Sequence, residues 1–467
     1  MQIKLHRWAG DDDSRRFGDL FNLVYDPAFL VHAWERVSTN TGARTPGIDR
    51  ATVAVIETRI GVEAFLEHIR DTLKSGAFEP VEVRRVMIPK ASGKLPALGI
   101  PTVADRVVQA SLKAVLEPVF EADFMPCSYG FRPNRRAHDA IAEIHHLSSG
   151  ANKFHRVLEA DIKACFDEID HTALMDRLRA RIKDKRVCAL VKAFLKSGVM
   201  TTSGDREETL TGTPQGGILS PLLANIALSA LGEHFARQWQ QEMGSYKRRV
   251  TRRKHGLGNW RLIRFADDFV LMVSGERRHA EELREEVAGV LAPLGLRPAP
   301  EKTQVVHIVE GFDFLGFHIR RQRKRGTQKQ YVYTKPSKKA IQSIKDKVKT
   351  ERADQTCTGT WTSCWPASTT PCAGGRTTSD TGCRRRCSAR STTTRGIASS
   401  AGSSTKHSRL SWRELRRRFC RPGSWKLICD GVESTGASSV KVIRYRYRGS
   451  NIPTPWTPRR TAADTGG

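Results

Sequence analysis

Two adjacent carboxylates, Asp267 and Asp268, stand between short apolar runs, residues 262–263 before them and 269–273 after. Adjacent acids repel each other and desolvate badly, so the placement costs stability unless a cation neutralises it. Oxygen ligands of this kind suit Mg²⁺. The same dipeptide also suits an exposed polar turn. A third acid, Asp161, ends the apolar stretch Val157-Leu158-Glu159-Ala160, 106 residues before Asp267. An acid in that position is a frequent site residue and an equally ordinary helix N-cap. Spacing does not decide whether the three meet. Together with a glycine-rich turn and a basic surround, they fit metal-assisted phosphoryl transfer. There, two Mg²⁺ ions ~3.5–4 Å apart clamp the attacking and leaving oxygens.

The elements that must position these acids follow from periodicity. The apolar runs around Asp267 and Asp268 predict a β-hairpin with the acids at its tight turn. Residues 157–162 predict a buried strand. The turn Gly212-Thr213-Pro214-Gln215-Gly216-Gly217 lets backbone approach a ligand closely, and residues 218–239 predict a long amphipathic helix behind it. Residues 84–90 predict a strand ending in a basic turn, 91–94 a hairpin tip and 95–100 the returning strand. Residues 102–119 have the spacing of an amphipathic helix, and a helix is expected near 276–294. Residues 311–319 alternate as one further strand, and 330–350 predict a helix through Ser337-Lys338-Lys339-Ala340-Ile341.

Charge bounds the partner. The chain has 467 residues and a formal net charge of +29, from 78 Lys and Arg against 49 Asp and Glu. Such an excess points to a polyanion, with nucleic acid the first candidate. No apolar run of ~18 residues is present to span a membrane. The N-terminus lacks the apolar core of a signal peptide, so an intracellular setting is expected. Three stretches look suited to nucleic acid. Residues 128–136 interleave Tyr129 and Phe131 with Arg132 and Arg135, so that rings meet bases while guanidinium groups hold phosphates. The basic runs around Arg248 and Arg253, and around Arg320 and Arg323, suit phosphates or a solvated charged loop.

Six motifs in order carry a specific resemblance: Gly-Ile-Pro-Thr at 99–102, Tyr-Gly-Phe-Arg-Pro at 129–133, Asp-Ile-Lys-Ala-Cys-Phe-Asp at 161–167, Thr-Pro-Gln-Gly-Gly-Ile-Leu-Ser-Pro-Leu-Leu-Ala-Asn at 213–225, Phe-Ala-Asp-Asp at 265–268 and Phe-Leu-Gly-Phe at 314–317. The set resembles the reverse transcriptase of group II intron-encoded proteins over residues 15 to 350, and resumes at 444–456. The resemblance implies an α+β right-hand polymerase fold, with fingers and an antiparallel palm sheet backed by helices, and a helical thumb or maturase domain. It implies RNA-templated DNA synthesis, assisted splicing of the host intron RNA, and retrohoming by target-primed synthesis. The implied partners are group II intron RNA, an RNA template with a DNA primer, dNTPs and target DNA, with no membrane. The implied setting is the cytoplasm, at the nucleoid.

Carried over by residue, Asp161, Asp267 and Asp268 would be catalytic ligands of two Mg²⁺ ions. Lys302 would sit behind the site and protonate the pyrophosphate. Lys90 would contact the triphosphate, Phe166 would pack under the sugar and exclude a 2′-hydroxyl, and Gln215 and Gly216 would lie along the nucleotide and template pair. Pro46-Gly47-Ile48-Asp49 resembles the extra N-terminal motif of these proteins.

Two departures stand out. The usual Arg-Pro before Leu98-Gly99-Ile100-Pro101 is here Pro96-Ala97, so a triphosphate-binding arginine is missing, a loss of ~1.5–3 kcal/mol of nucleotide binding. From Thr356 to Thr405, 27 of 50 residues are Ser, Thr or Cys, with no Leu, Val, Phe or Met. Nothing there buries a helix face where maturase helices belong. Five of the ten cysteines fall in this window, without a histidine and without paired zinc-knuckle spacing. A shifted reading frame over residues 371–384 permits Leu-Arg-Gly-Trp-Ala-Asn-Tyr-Phe-Arg-His-Gly-Val-Ser, which resembles the maturase motif. Paired frameshifts near 353–358 and 405–409 are therefore expected. The expected organisation is an N-terminal extension of the fingers (1–75), fingers and palm (76–325), the start of the thumb (326–352), an out-of-frame disordered segment (353–407), and a remnant of maturase and DNA-binding region (408–467), with no endonuclease domain. The competing reading is a degenerate intron RNA-binding splicing factor. A third, an RNA-templated RNA polymerase, is opposed by Phe166.

Overall fold

The computed structural model describes residues 1–87, 97–149, 154–200, 206–207, 211–214, 216–324, 326–354, 428–429, 432–433, 447–449 and 452–457. Lys90, Gln215 and residues 355–427, which hold most of the expected out-of-frame segment, lie outside these. The chain forms two units. One comprises Met1–Arg136, Leu158–Val305 and Ser450–Gly467, the other Ala137–Val157 and Val306–Gly449.

The first unit is built around the helix Val103–Asp123. Thr102 caps it, its Oγ1 accepting from the Asp105 amide at 3.1 Å. The expected amphipathic helix is instead buried nearly all round, with 17 of its 21 residues enclosed. The helices Gln2–Asp11 and Pro27–Ser38 pack against it. Pro118 lies inside it and cannot donate to the carbonyl of Ala114 four residues back. Gln2 Nε2 supplies the missing donor to that carbonyl at 2.8 Å.

Two sheets complete the unit. Strands β1 (Val83–Met87), β2 (Ala97–Ile100), β4 (Val199–Met200) and β5 (Arg206–Glu207) form one, in the order β2-β1-β4-β5. Strands β3 (Arg156–Asp161), β6 (Asn259–Phe265), β7 (Asp268–Ser274) and β8 (Gln304–His307) form the other, in the order β6-β7-β3-β8. Phe269–Val273 of β7 is wholly buried on both faces, as a continuous apolar run in a central strand requires. The predicted hairpin is present: β6 and β7 pair antiparallel from Asn259↔Ser274 to Phe265↔Asp268.

The second unit carries the helix Ala137–Ser148, a sheet of order β11-β10-β9 and the helix Lys338–Asp354. Here the structure corrects two expectations. Residues 311–319 are not one strand but a hairpin, β9 (Phe312–Phe314) and β10 (Phe317–Arg323), turning at Leu315 and Gly316 with φ of +48° and +81°. Positive φ at both central residues matches the right-handed twist of a hairpin. Residues 330–336 are strand β11 (Gln330–Pro336), and the helix begins only at Lys338. Among the described residues no helix is long and apolar enough to cross a membrane.

Candidate functional site

The acid turn is held from behind. Ala266 and Asp267 connect the paired Phe265 and Asp268, and Ala266 takes φ of +58°. Arg264, one residue before Phe265, is fully buried. Its Nη1 donates to Ala266 O at 2.9 Å and to Asn225 Oδ1 at 3.1 Å, and its Nη2 to Ser128 Oγ at 2.8 Å. Asn225, on the helix Ser220–Gln238, in turn donates through Nδ2 to Gly130 O at 2.9 Å. The Tyr129 amide donates to Arg264 O at 2.8 Å. Gly130 lies so close that an added Cβ would stand 2.2 Å from Ala266 N. Three separated motifs, at 128–130, 225 and 264–268, thus meet on one guanidinium.

The charge of Asp161 reaches both Asp267 and Asp268. Asp161 ends β3, next to β7 in the sheet. The segment after residue 296 is clipped onto this end: Ile162 bridges Pro298, and the Ala299 amide donates to Asp161 O at 2.8 Å. A 3-10 turn, Pro300–Lys302, then delivers Lys302, whose Nζ is seated on Asp161 Oδ2. Partial burial raises the Asp267 proton affinity, and the charge of Asp161 adds to it. Asp268 is pushed up to about 6 by the same desolvation and by the charges of Asp267 and Asp161. The hydrogen bond to Asp161 keeps Lys302 protonated above the usual lysine range.

A divalent cation fits this donor set chemically. All three acids offer hard oxygens. Asp161 Oδ1 is buried with no hydrogen-bond partner. The Lys302 ammonium stands where positive charge is needed. Among the described residues no three such side chains already enclose an ion-sized space. A bound metal would have to draw these acids together and displace Lys302 from Asp161.

The flanks of the site are glycine-shaped. Phe166 lies in the one-turn helix Cys165–Glu168, half-buried, with its ring edge-on to Phe131 at 6.4 Å. The Thr213 amide donates to Phe166 O at 2.6 Å. A Cβ on Gly212 would meet that same carbonyl at 2.5 Å. Gly216, at φ of +112°, lies against β2, where a Cβ would stand 2.5 Å from Gly99 O. Gly212 and Thr213 are thus packed on Phe166, and Gly216 on β2.

Other expected residues are elsewhere. Arg132 is not available to phosphates. It is buried, forms a two-pronged ion pair with Glu121, and spends Nη1 on Met125 O and Ser128 O. Arg135 is half-buried over the Tyr129 ring, donates to Pro126 O, and is lowered to about 10 by burial. Both brace the loop instead of reaching outward. Arg248 is exposed and Arg253 half-exposed on the helix Tyr246–Lys254. Arg320 and Arg323 are exposed on β10 of the second unit. Sequence reading missed Arg264, Ser128 and Asn225. The signal was present: an arginine inside an apolar strand must find buried acceptors.

Comparison with known proteins gives the family. The model for reverse transcriptase (RNA-dependent DNA polymerase) matches residues 88–319. Protein YkfC of Escherichia coli (strain K12) is 37% identical over 359 residues, covering 73% of this chain and 93% of that protein. Group II intron-encoded protein LtrA of Lactococcus lactis subsp. cremoris is 32% identical over 359 residues, covering 67% of this chain and 58% of that protein. The chain thus spans little more than half of LtrA. Among solved structures, apo telomerase from Candida Tropicalis, truncated from its C-terminal domain, gives a TM-score of 0.39 at 15% identity, over 53% of this chain and 56% of that one. That likeness is too loose to argue from. On the family match and the similarity to YkfC and LtrA, the chain belongs to the reverse transcriptases, among the group II intron-encoded proteins.

Proposed function

We propose that this protein is an RNA-directed DNA polymerase that assists splicing of its group II intron RNA and copies it by target-primed synthesis, using an RNA template, a DNA primer or nicked target DNA, and dNTPs. The convergence of Asp161, Asp267 and Asp268 with Lys302 on one sheet end carries this reading. Its setting would be the cytoplasm, at the nucleoid.

Reverse transcriptase domains work with divalent metal. In this reading Asp161, Asp267 and Asp268 would hold two Mg²⁺ ions, which would supply Lewis-acid stabilisation of the attacking and leaving oxygens. The chain's own residues do the rest. Phe166 presents its ring to the sugar and excludes a 2′-hydroxyl. Gly216 lets the backbone approach the nucleotide, with the neighbouring Gln215, and Lys90 reaches the triphosphate. Lys302 holds a proton on Nζ that the departing pyrophosphate takes up. Arg248, Arg253, Arg320 and Arg323 hold phosphates of the nucleic acid.

Primer extension on an RNA template tests the reading. Wild-type chain should extend with dNTPs and not with rNTPs, and Asp267→Asn or Asp268→Asn should abolish extension. An inactive wild type whose help to intron splicing survives both substitutions would instead establish an RNA-binding splicing factor. Two features give that second reading weight: the missing arginine at Pro96-Ala97, and the helix-poor composition of residues 356–405. We attribute the latter to an out-of-frame segment. Sequencing the encoding DNA across codons 350–410 checks this. An uninterrupted frame shared with active relatives would overturn it.

A further inference from the structure

The sheet β9-β10-β11 has two faces of opposite chemistry. One carries Phe312, Phe314, Phe317, Ile319, Val332 and Thr334, all buried. The other carries His318, Arg320 and Gln322 from β10 and Tyr331, Tyr333 and Lys335 from β11, all exposed or half-exposed. Across the strands Arg320 pairs with Tyr333, Gln322 with Tyr331 and His318 with Lys335. Lys335 Nζ stands 5.7 Å from the Tyr333 ring centroid, and Lys324 Nζ 5.9 Å from that of Tyr331. Tyr331 is 46% exposed.

Charge and spacing choose the occupant. Arg320, Lys324, Lys329 and Lys335 lie on or beside this face, while Asp313 is engaged by His318 Nδ1 at 2.6 Å. The surface is complementary to phosphate. Tyr331 and Tyr333 are two residues apart on one strand, so their rings are spaced by roughly 7 Å. That is about twice the ~3.4 Å rise of a duplex strand. The pair therefore fits bases that are unstacked and splayed, which a single strand offers and a duplex does not. An acidic peptide would satisfy the cations but leave the two rings without a purpose.

We infer that this open face binds a single-stranded nucleic-acid segment, with bases stacking on Tyr331 and Tyr333 while Arg320, Lys324 and Lys335 hold its phosphates. The inference rests on the nucleic-acid reading of the chain for its choice of occupant, but not on polymerase activity.

The test is fluorescence anisotropy of the full chain with a labelled single-stranded oligonucleotide, without Mg²⁺ or dNTPs. RNA and DNA strands, a strand with abasic positions, and a duplex of equal length form its arms. Tyr331→Ala and Tyr333→Ala should each weaken binding of the intact single strand by about tenfold, whereas Tyr→Phe at either position should retain it. The abasic strand should bind wild type as weakly as the intact strand binds the alanine variants. Preference for RNA or for DNA identifies which strand occupies the face, and either agrees with the inference. Alanine variants within about twofold of wild type, an abasic strand that binds as well as an intact one, or tyrosine-dependent binding of the duplex alone would overturn it. Tyrosine-dependent binding by a chain that fails to extend a primer would sink the polymerase reading and leave this one standing. Extension with tyrosine-independent binding would do the reverse.

Discussion

Behind the acids, Arg264 holds a guanidinium in a fully buried position whose hydrogen-bond acceptors, Asn225, Ser128 and Ala266, are all uncharged. Burial lowers its proton affinity to about 10, yet it stays cationic at neutral pH. Its charge lowers the proton affinity of Asp267, against the burial and the Asp161 charge that raise it. Arg264→Met strands three acceptors and removes that charge, so a stability loss of about 3 kcal/mol is expected in urea melts. The deficit should grow as pH rises through the range in which Asp267 loses its proton, because the guanidinium offsets only the charged carboxylate. Asp268 gives a second pH signature. Its carboxyl titrates at about 6 in the fold against 3.8 as the reference. A raised acid favours folding below the lower value, and that contribution is lost as pH rises through 6. Without metal, Asp268→Asn should therefore be more stable than wild type at about pH 7.5, by about 1 kcal/mol after discounting for solvent at an exposed carboxylate, and the gap should close towards pH 4. Thermal melts in chelator check it.

At the scale of elements, the turn between β6 and β7 is only as well placed as the loop beneath it. Gly130→Ala puts a methyl group into Ala266 N, and the turn must move. A shift of about 1 Å is enough to cost roughly 10²-fold in turnover, so kcat should fall that far, alongside a stability loss of about 1–3 kcal/mol. Single-turnover extension with saturating primer measures it. The β6–β7 hairpin was readable because an acid pair between apolar runs has few other solutions, although the turn itself is Ala266-Asp267 and Asp268 opens β7. The strand expected over 157–162 was readable from its apolar run and is found as Arg156–Asp161. The hairpin at Leu315-Gly316 was not, since leucine is a poor residue for positive φ and hid the turn. The alternation in Gln330-Tyr331-Val332-Tyr333-Thr334 was visible as a strand pattern but was absorbed into the helix after it. Arg132 misled because its partner, Glu121, lies 11 residues upstream on a helix, where no local pattern announces it.

For the whole molecule, a net charge of +29 sets how binding responds to salt. With Arg320, Lys324 and Lys335 holding phosphates of a single strand, a plot of log affinity against log salt should fall with a slope of about −2 or steeper, the release of roughly three counterions. A slope near zero would remove electrostatics as the source of affinity. A different whole-chain property follows from the first helix. Gln2 supplies the donor that Pro118 denies to Ala114, and His6 meets Thr454 Oγ1 at 3.0 Å and the Trp456 ring at 5.6 Å. The first helix and residues 454–456 are therefore neighbours in space. For the protein engineer this makes the segment 2–6 a poor place for a fusion or a tag. It also makes an N-terminal deletion hazardous, because trimming even the second residue leaves a buried carbonyl without its donor.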